Sequence, residues 1–89
     1  MNRHFKTGEI KVTAKASEIL SLLSFTIIMR KHLNFKYGLV KEAVKKENNN
    51  AINIGSGRVF SCYCLITGQR VWVDTHIGKT TTISLSEEN

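Results

Sequence analysis

Apolar and polar positions alternate most cleanly in the last third of the chain. From Arg58 to Ile66 two sets of side chains take turns, Val59, Ser61, Tyr63 and Leu65 against Phe60, Cys62, Cys64 and Ile66, which is the period of a β-strand. The second set is the more apolar and is expected to face the core. Thr67-Gly68 offers a two-residue hairpin turn, with glycine free to take positive φ. Counting back from that turn pairs Leu65 with Arg70, Cys64 with Val71, Tyr63 with Trp72, Cys62 with Val73 and Ser61 with Asp74. In this register a core face of Phe60, Cys62, Cys64, Val71 and Val73 separates from an outer face of Ser61, Tyr63, Arg70, Trp72 and Asp74. A third strand, about Thr80 to Leu85, would add Thr81, Ile83 and Leu85 to the core and turn a Thr-rich side to water.

Helical spacing dominates the first half. After a segment expected to fray, Met1 to Thr7, a short strand over Glu9 to Val12 puts Ile10 and Val12 on one face, and Thr13 can cap a helix directly after it. Ala16, Ile19, Leu20 and Leu23 form one apolar stripe, predicting that helix from Ala14 to about Leu23. Ser24 can cap a second helix in which Phe25, Ile28, Met29 and His32 keep the same spacing, so His32 should lie near the core edge. Asn34 to Gly38 reads as a loop. A third helix, Leu39 to about Ile52, carries Val40, Ala43, Val44, Glu47 and Ala51 inward and Lys41, Lys45 and Lys46 outward; Asn48-Asn49-Asn50 should fray or end it. The reading is one small α+β domain over residues 1–89: a short N-terminal strand, two or three helices within about 14–52, and a three-stranded antiparallel β-meander over about 57–85.

Composition narrows the chemistry. Eighty-nine residues allow a modest core, and no cysteine or histidine framework reinforces it, so stability should be marginal. The greasiest piece, Ile19 to Met29, is interrupted by Ser21, Ser24 and Thr26 and is too short to span a bilayer. With no secretory pattern at the start, the expected place is the cytoplasm, without a membrane partner. Cys62 and Cys64, two apart on one strand, are badly placed to bridge each other and make half a zinc site at most; buried reduced thiols are expected. The net charge of +6 is lopsided: residues 1–47 hold ten Lys or Arg against four Glu, and residues 48–89 hold three of each sign. That fits a polyanion or an acidic protein surface as partner, and solvated lysines equally well.

No catalytic signature emerges. Gly55-Ser56-Gly57-Arg58 runs from helix into strand, the reverse of a phosphate-binding order, and Gly78-Lys79-Thr80-Thr81 copies only the end of a Walker motif, with Val73 where glycine is required. Ser61 lacks the flanking glycines of a nucleophile elbow, and Asp74 across the hairpin would reach it without an intervening histidine. A hydrolase would need His32 or His76 beside Ser61 or a thiol. The expectation is a protein that is not an enzyme, with no catalytic, cofactor-binding or metal-binding residues and no cofactor.

Phe5-x-x-Gly8, Thr13, Arg30-x-His32, Gly38, an Asn within Asn48 to Asn50, Ala51, Gly55, Arg58-x-x-Ser61-x-Tyr63, Gly68, Trp72, Thr75 and the closing Thr82-Ile83-x-Leu85-x-Glu87-Glu88 together resemble a family of small bacterial proteins carried on plasmids and integrative elements, usually labelled plasmid-related. The resemblance covers nearly the whole chain. It departs from the family at Lys36-Tyr37, where Asp-Trp is usual, and at Ser86 and Asn89, where Pro and Tyr are usual. It implies a setting of mobile DNA, in which a small binding protein would antagonise a protein or nucleoprotein complex of host defence, as anti-CRISPR or antirestriction inhibitors do. The alternative is direct nucleic-acid binding in the regulation or maintenance of the element. Either would use Tyr63 and Trp72 as an aromatic pair with Arg70 beside it, and Arg30, Lys31, Lys36, Lys41, Lys45 and Lys46 as attracting charge. The same aromatics could instead serve packing alone. A homodimer, through the aromatic face or the poorly charged edge of the last strand, is also expected.

Overall fold

The computed structural model of the protein describes residues 5–88. Four strands, β1 (Glu9–Val12), β2 (Arg58–Cys64), β3 (Arg70–His76) and β4 (Thr80–Leu85), form one mixed sheet in the order β1-β4-β3-β2. The expected meander supplies β2, β3 and β4, antiparallel throughout. The N-terminal strand completes it by pairing parallel to β4, from Glu9 opposite Thr80 to Val12 opposite Ile83, so the last strand is interior and not an edge. Gly8 makes this junction fit: at φ +64° a Cβ there would collide with the Lys79 carbonyl oxygen.

The hairpin register is one residue away from the expected one. Leu65 N–H donates to the Gln69 carbonyl and Gly68 N–H to the Leu65 carbonyl, which makes a three-residue turn, Ile66-Thr67-Gly68, with Gly68 at φ +90°. Cys64 therefore faces Arg70, Tyr63 faces Val71, Cys62 faces Trp72 and Ser61 faces Val73. The faces of β2 exchange as a result. Val59, Ser61 and Tyr63 join Val71, Val73, Thr75, Thr81, Ile83 and Leu85 inside, while Phe60, Cys62 and Cys64 share the outer face with Arg70, Trp72 and Asp74. The assignments for β3 and β4 stand. Cys64 is exposed and only Cys62 is buried, both as free thiols.

Helices α1 (Ala14–Ile19) and α2 (Leu22–Leu33) cover the inner face, where Ala16, Ile28 and Met29 pack on Tyr63, Val71, Val73, Ile83 and Leu85. Thr13 caps α1 by accepting from Ala16 N–H, and its hydroxyl donates to Glu88 at 2.8 Å. The break between the helices falls earlier than the apolar stripe suggests. Leu20 turns extended and Ser21, not Ser24, caps α2 by accepting from Ser24 N–H. Leu22 and Leu23 are thereby turned outward, although the stripe places Leu23 in the core. Helix α3 (Glu42–Ile54) starts later than expected and continues through Asn48–Asn50 until Gly55 ends it in the left-handed region. It leans on β2, enclosing a second cluster of Phe5, Tyr37, Ala51, Ile52 and Val59. Phe5 is thus buried and not part of a frayed end. Met1–His4, the rest of that segment, lie outside the described residues.

The outer edge of β2 is closed by side-chain and main-chain partners. Asn48, buried in the middle of α3, donates to the Phe60 carbonyl at 2.8 Å and accepts from Phe60 N–H at 2.9 Å. Next to it, Cys62 N–H donates to the Tyr37 carbonyl and Leu39 N–H donates to the Cys62 carbonyl, a one-residue parallel bridge at Gly38. A Cβ on Gly38 would collide with the Cys62 carbonyl oxygen.

Candidate functional site

The outer face of the sheet has an aromatic centre, with α3 along one side of it. Because Phe60 pairs with Asp74 and Cys62 with Trp72, Phe60 and Trp72 are diagonal neighbours, with ring centroids 5.4 Å apart and planes at 78°. Both rings are half-buried. They floor an open groove of about 490 Å³, walled by Val44, Glu47 and Asn48 of α3 on one side and by Thr82 and Ser84 of β4 on the other. Arg58 and Asp74 complete it, their charged groups 3.7 Å apart. The Asn48 clamp fixes the Phe60 backbone, so the floor is held by paired main-chain groups on both sides. Charge of both signs and several hydroxyl and amide groups line the rim.

Of the residues singled out by sequence, Trp72 alone lines this groove. Arg70 is exposed on the same face, opposite Cys64. Tyr63 is not on it. The ring is buried on the inner face and its hydroxyl donates to the Lys36 carbonyl at 2.6 Å, and desolvation pushes its pKa up to about 12. The expected Tyr63–Trp72 pair is therefore replaced by Phe60–Trp72. The basic residues also separate. Arg30 and Lys31 belong to α2, behind the sheet, and Lys36 to the loop that receives Tyr63. Lys41 occupies the N-cap position of α3, Lys45 pairs with Glu42 at 3.3 Å and Lys46 is exposed. Phe60, Arg58 and Asn48 were missed, and the signal that would have found Phe60 is the glycine at the third position of a three-residue turn.

A second constellation lies inside. His32 has no exposed surface; its Nδ1 is 2.5 Å from Ser61 Oγ and its Nε2 is 2.8 Å from Thr75 Oγ1. Thr75 Oγ1 is 2.8 Å from Thr81 Oγ1, which donates to the Thr7 carbonyl. That last bond sets the direction of the chain. With the Thr81 proton spent on a carbonyl, Thr75 donates to Thr81, His32 Nε2–H donates to Thr75, and Ser61 donates to the unprotonated Nδ1. The proximity a hydrolase would require is present, but Ser61 and His32 are both fully buried, with Phe5 set edge-on against the imidazole at 5.3 Å. No substrate atom reaches this hydroxyl while the fold is closed. Burial also lowers the His32 pKa to about 4, so the ring is neutral at ordinary pH.

Every buried side-chain nitrogen and oxygen among the described residues has a hydrogen-bond partner. Among those residues no three His, Cys, Asp or Glu side chains converge on a point that would hold a metal ion, and His76 stands exposed at the end of β3. Among them too, no helix is long and apolar enough to cross a membrane. None of the known protein families, curated proteins or solved structures compared with the chain matches it.

Proposed function

We propose that the protein is a non-enzymatic binding protein that docks the outer face of its sheet on a partner protein. In the mobile-element setting implied by the resemblance of its sequence, that partner is a protein or nucleoprotein complex of host defence, held in an inhibited state. The observation that carries the reading is the Phe60–Trp72 floor, half-exposed in a groove whose rim offers Arg58, Asp74, Glu47, Asn48, Thr82 and Ser84. An aromatic centre within a polar rim that carries an arginine and charge of both signs is the composition of a protein–protein hot spot. A phosphate backbone would meet Glu47 and Asp74 in the same groove, while the lysines and arginine of α2 lie behind the sheet. The sealed Ser61–His32 contact supports a binding role over a hydrolytic one.

The test has two arms. Binding to short single- and double-stranded DNA and RNA is measured at low and physiological salt for the native protein and for Trp72→Ala. The same pair is expressed in bacterial hosts carrying a CRISPR or restriction system challenged with phage. The reading expects no saturable nucleic-acid binding at physiological salt. It also expects loss of host protection with the native protein, restored by Trp72→Ala. Saturable binding that survives physiological salt and requires Trp72 would overturn it in favour of a regulator or maintenance protein acting on nucleic acid directly.

A further inference from the structure

We infer that a second groove, between α2 and the tip of the β2–β3 hairpin, takes an amphipathic helix of a partner protein, one with apolar anchors and acidic flanks. This site lies on the other side of the sheet from Trp72 and is independent of it. Its walls are Ile19 of α1, Ile27 and Ile28 of α2, and Leu65 and Ile66 of the hairpin, enclosing about 270 Å³. Among the groove's own residues Ile66 is fully exposed, Ile27 is 45 % exposed and Ile19 is 36 % exposed. Large aliphatic side chains left in water along a single groove mark a docking surface rather than ordinary scatter.

Geometry selects a helix. Ser24, Ile27, Ile28 and Lys31 follow one another along one side of α2 at i, i+3, i+4 and i+7, so the groove runs for roughly 10 Å, two turns of an incoming helix. That length receives side chains at i, i+3, i+4 and i+7 of the guest. Charge selects its flanks. Among the described residues Lys31 is the one charged residue lining the groove, and α2 carries Arg30 and Lys31 with no acidic residue. The first 47 residues, which include both helices beside the groove, hold ten Lys or Arg against four Glu, of which Glu18 is next to Ile19. A second copy of the chain would bring basic α2 against basic α2, so a foreign acidic helix is the better match.

Two helical peptides test this, each with leucines at i, i+3, i+4 and i+7, one flanked by glutamates and the other by lysines. Binding is followed by fluorescence anisotropy at physiological salt and by amide shifts of the labelled protein. The glutamate-flanked peptide should bind at least about tenfold more tightly than its twin, a modest charge-complementarity effect. Shifts should centre on Ile19, Ile27, Lys31 and Ile66. Lys31→Glu should reverse the preference, and Ile66→Asp, at a fully exposed position that spares the fold, should weaken binding about tenfold. Trp72→Ala should change nothing, which separates this site from the outer groove. Equal binding of the two peptides, no saturable binding by either, shifts confined to the Trp72 face, or groove shifts on concentrating the protein alone would each overturn the inference.

Discussion

Acid should destabilise this protein chiefly through one buried residue. In the fold His32 is fully buried, neutral, and bonded at both ring nitrogens, and burial brings its pKa to about 4 from the ordinary 6.5. The unfolded chain therefore takes up the proton first. Stability is complete above about pH 6.5, declines as pH falls through the window from 6.5 to 4, and levels off below it. At 1.36 kcal/mol per pKa unit the full loss is about 3 kcal/mol. A domain of this size holds roughly 4–13 kcal/mol in all, so the loss is a substantial fraction. Protonation also reverses the Ser61 bond, because Nδ1–H must then donate to the hydroxyl oxygen and the serine proton has to find another acceptor. The assay is urea unfolding at several pH values between 4 and 7.5 for the native protein and for His32→Gln, which cannot titrate. The difference between the two should change by up to about 1.4 kcal/mol per pH unit inside the window. Parallel loss of stability in the two proteins, or His32 imidazole resonances of the folded protein that titrate near 6.5 or show the Nδ1–H tautomer, would refute this.

Two further outcomes test the packing. Asn48→Leu removes both bonds to the Phe60 main chain, leaving an N–H and a C=O unpaired at a half-buried edge, and should cost about 2–3 kcal/mol in urea unfolding. It should also raise concentration-dependent association in light scattering, because β2 regains an open edge. Tyr63→Phe loses one hydrogen bond to the Lys36 carbonyl, about 1 kcal/mol, and should leave partner binding through Trp72 unchanged. The native phenol, neutral in the fold until about pH 12 but only to about 10 when unfolded, adds stability that is full below pH 10 and lost as pH rises toward 12. Absorbance titration of native protein against Tyr63→Phe reads this directly.

Some misassignments share one cause. The hairpin turn is three residues long where Thr67-Gly68 suggested two, and with a side-chain period of two that single residue moves Tyr63 from the outer face to the inner and Phe60 the other way. Composition could not flag the error, since Phe60, Cys62 and Cys64 are more apolar than Val59, Ser61 and Tyr63. The buried set is acceptable only because Ser61 finds His32, 29 positions away, and Tyr63 finds the Lys36 carbonyl, 27 positions away. Asn48–Asn50 misled for a related reason. Asparagine disfavours helix by itself, yet Asn48 is repaid by two bonds to a strand.

Local rules determined much of the elements themselves: the alternation of β3 and β4 and the Thr13 cap come from neighbours a few residues apart, and the division of charge between halves is read directly from the chain. Tertiary structure decided which face of β2 is inside, that Glu9–Val12 joins β4 in parallel, and that Phe60, not Tyr63, accompanies Trp72. Those outcomes depend on polar groups finding partners far along the chain, and a buried hydroxyl is favourable or costly according to a partner that no local pattern contains.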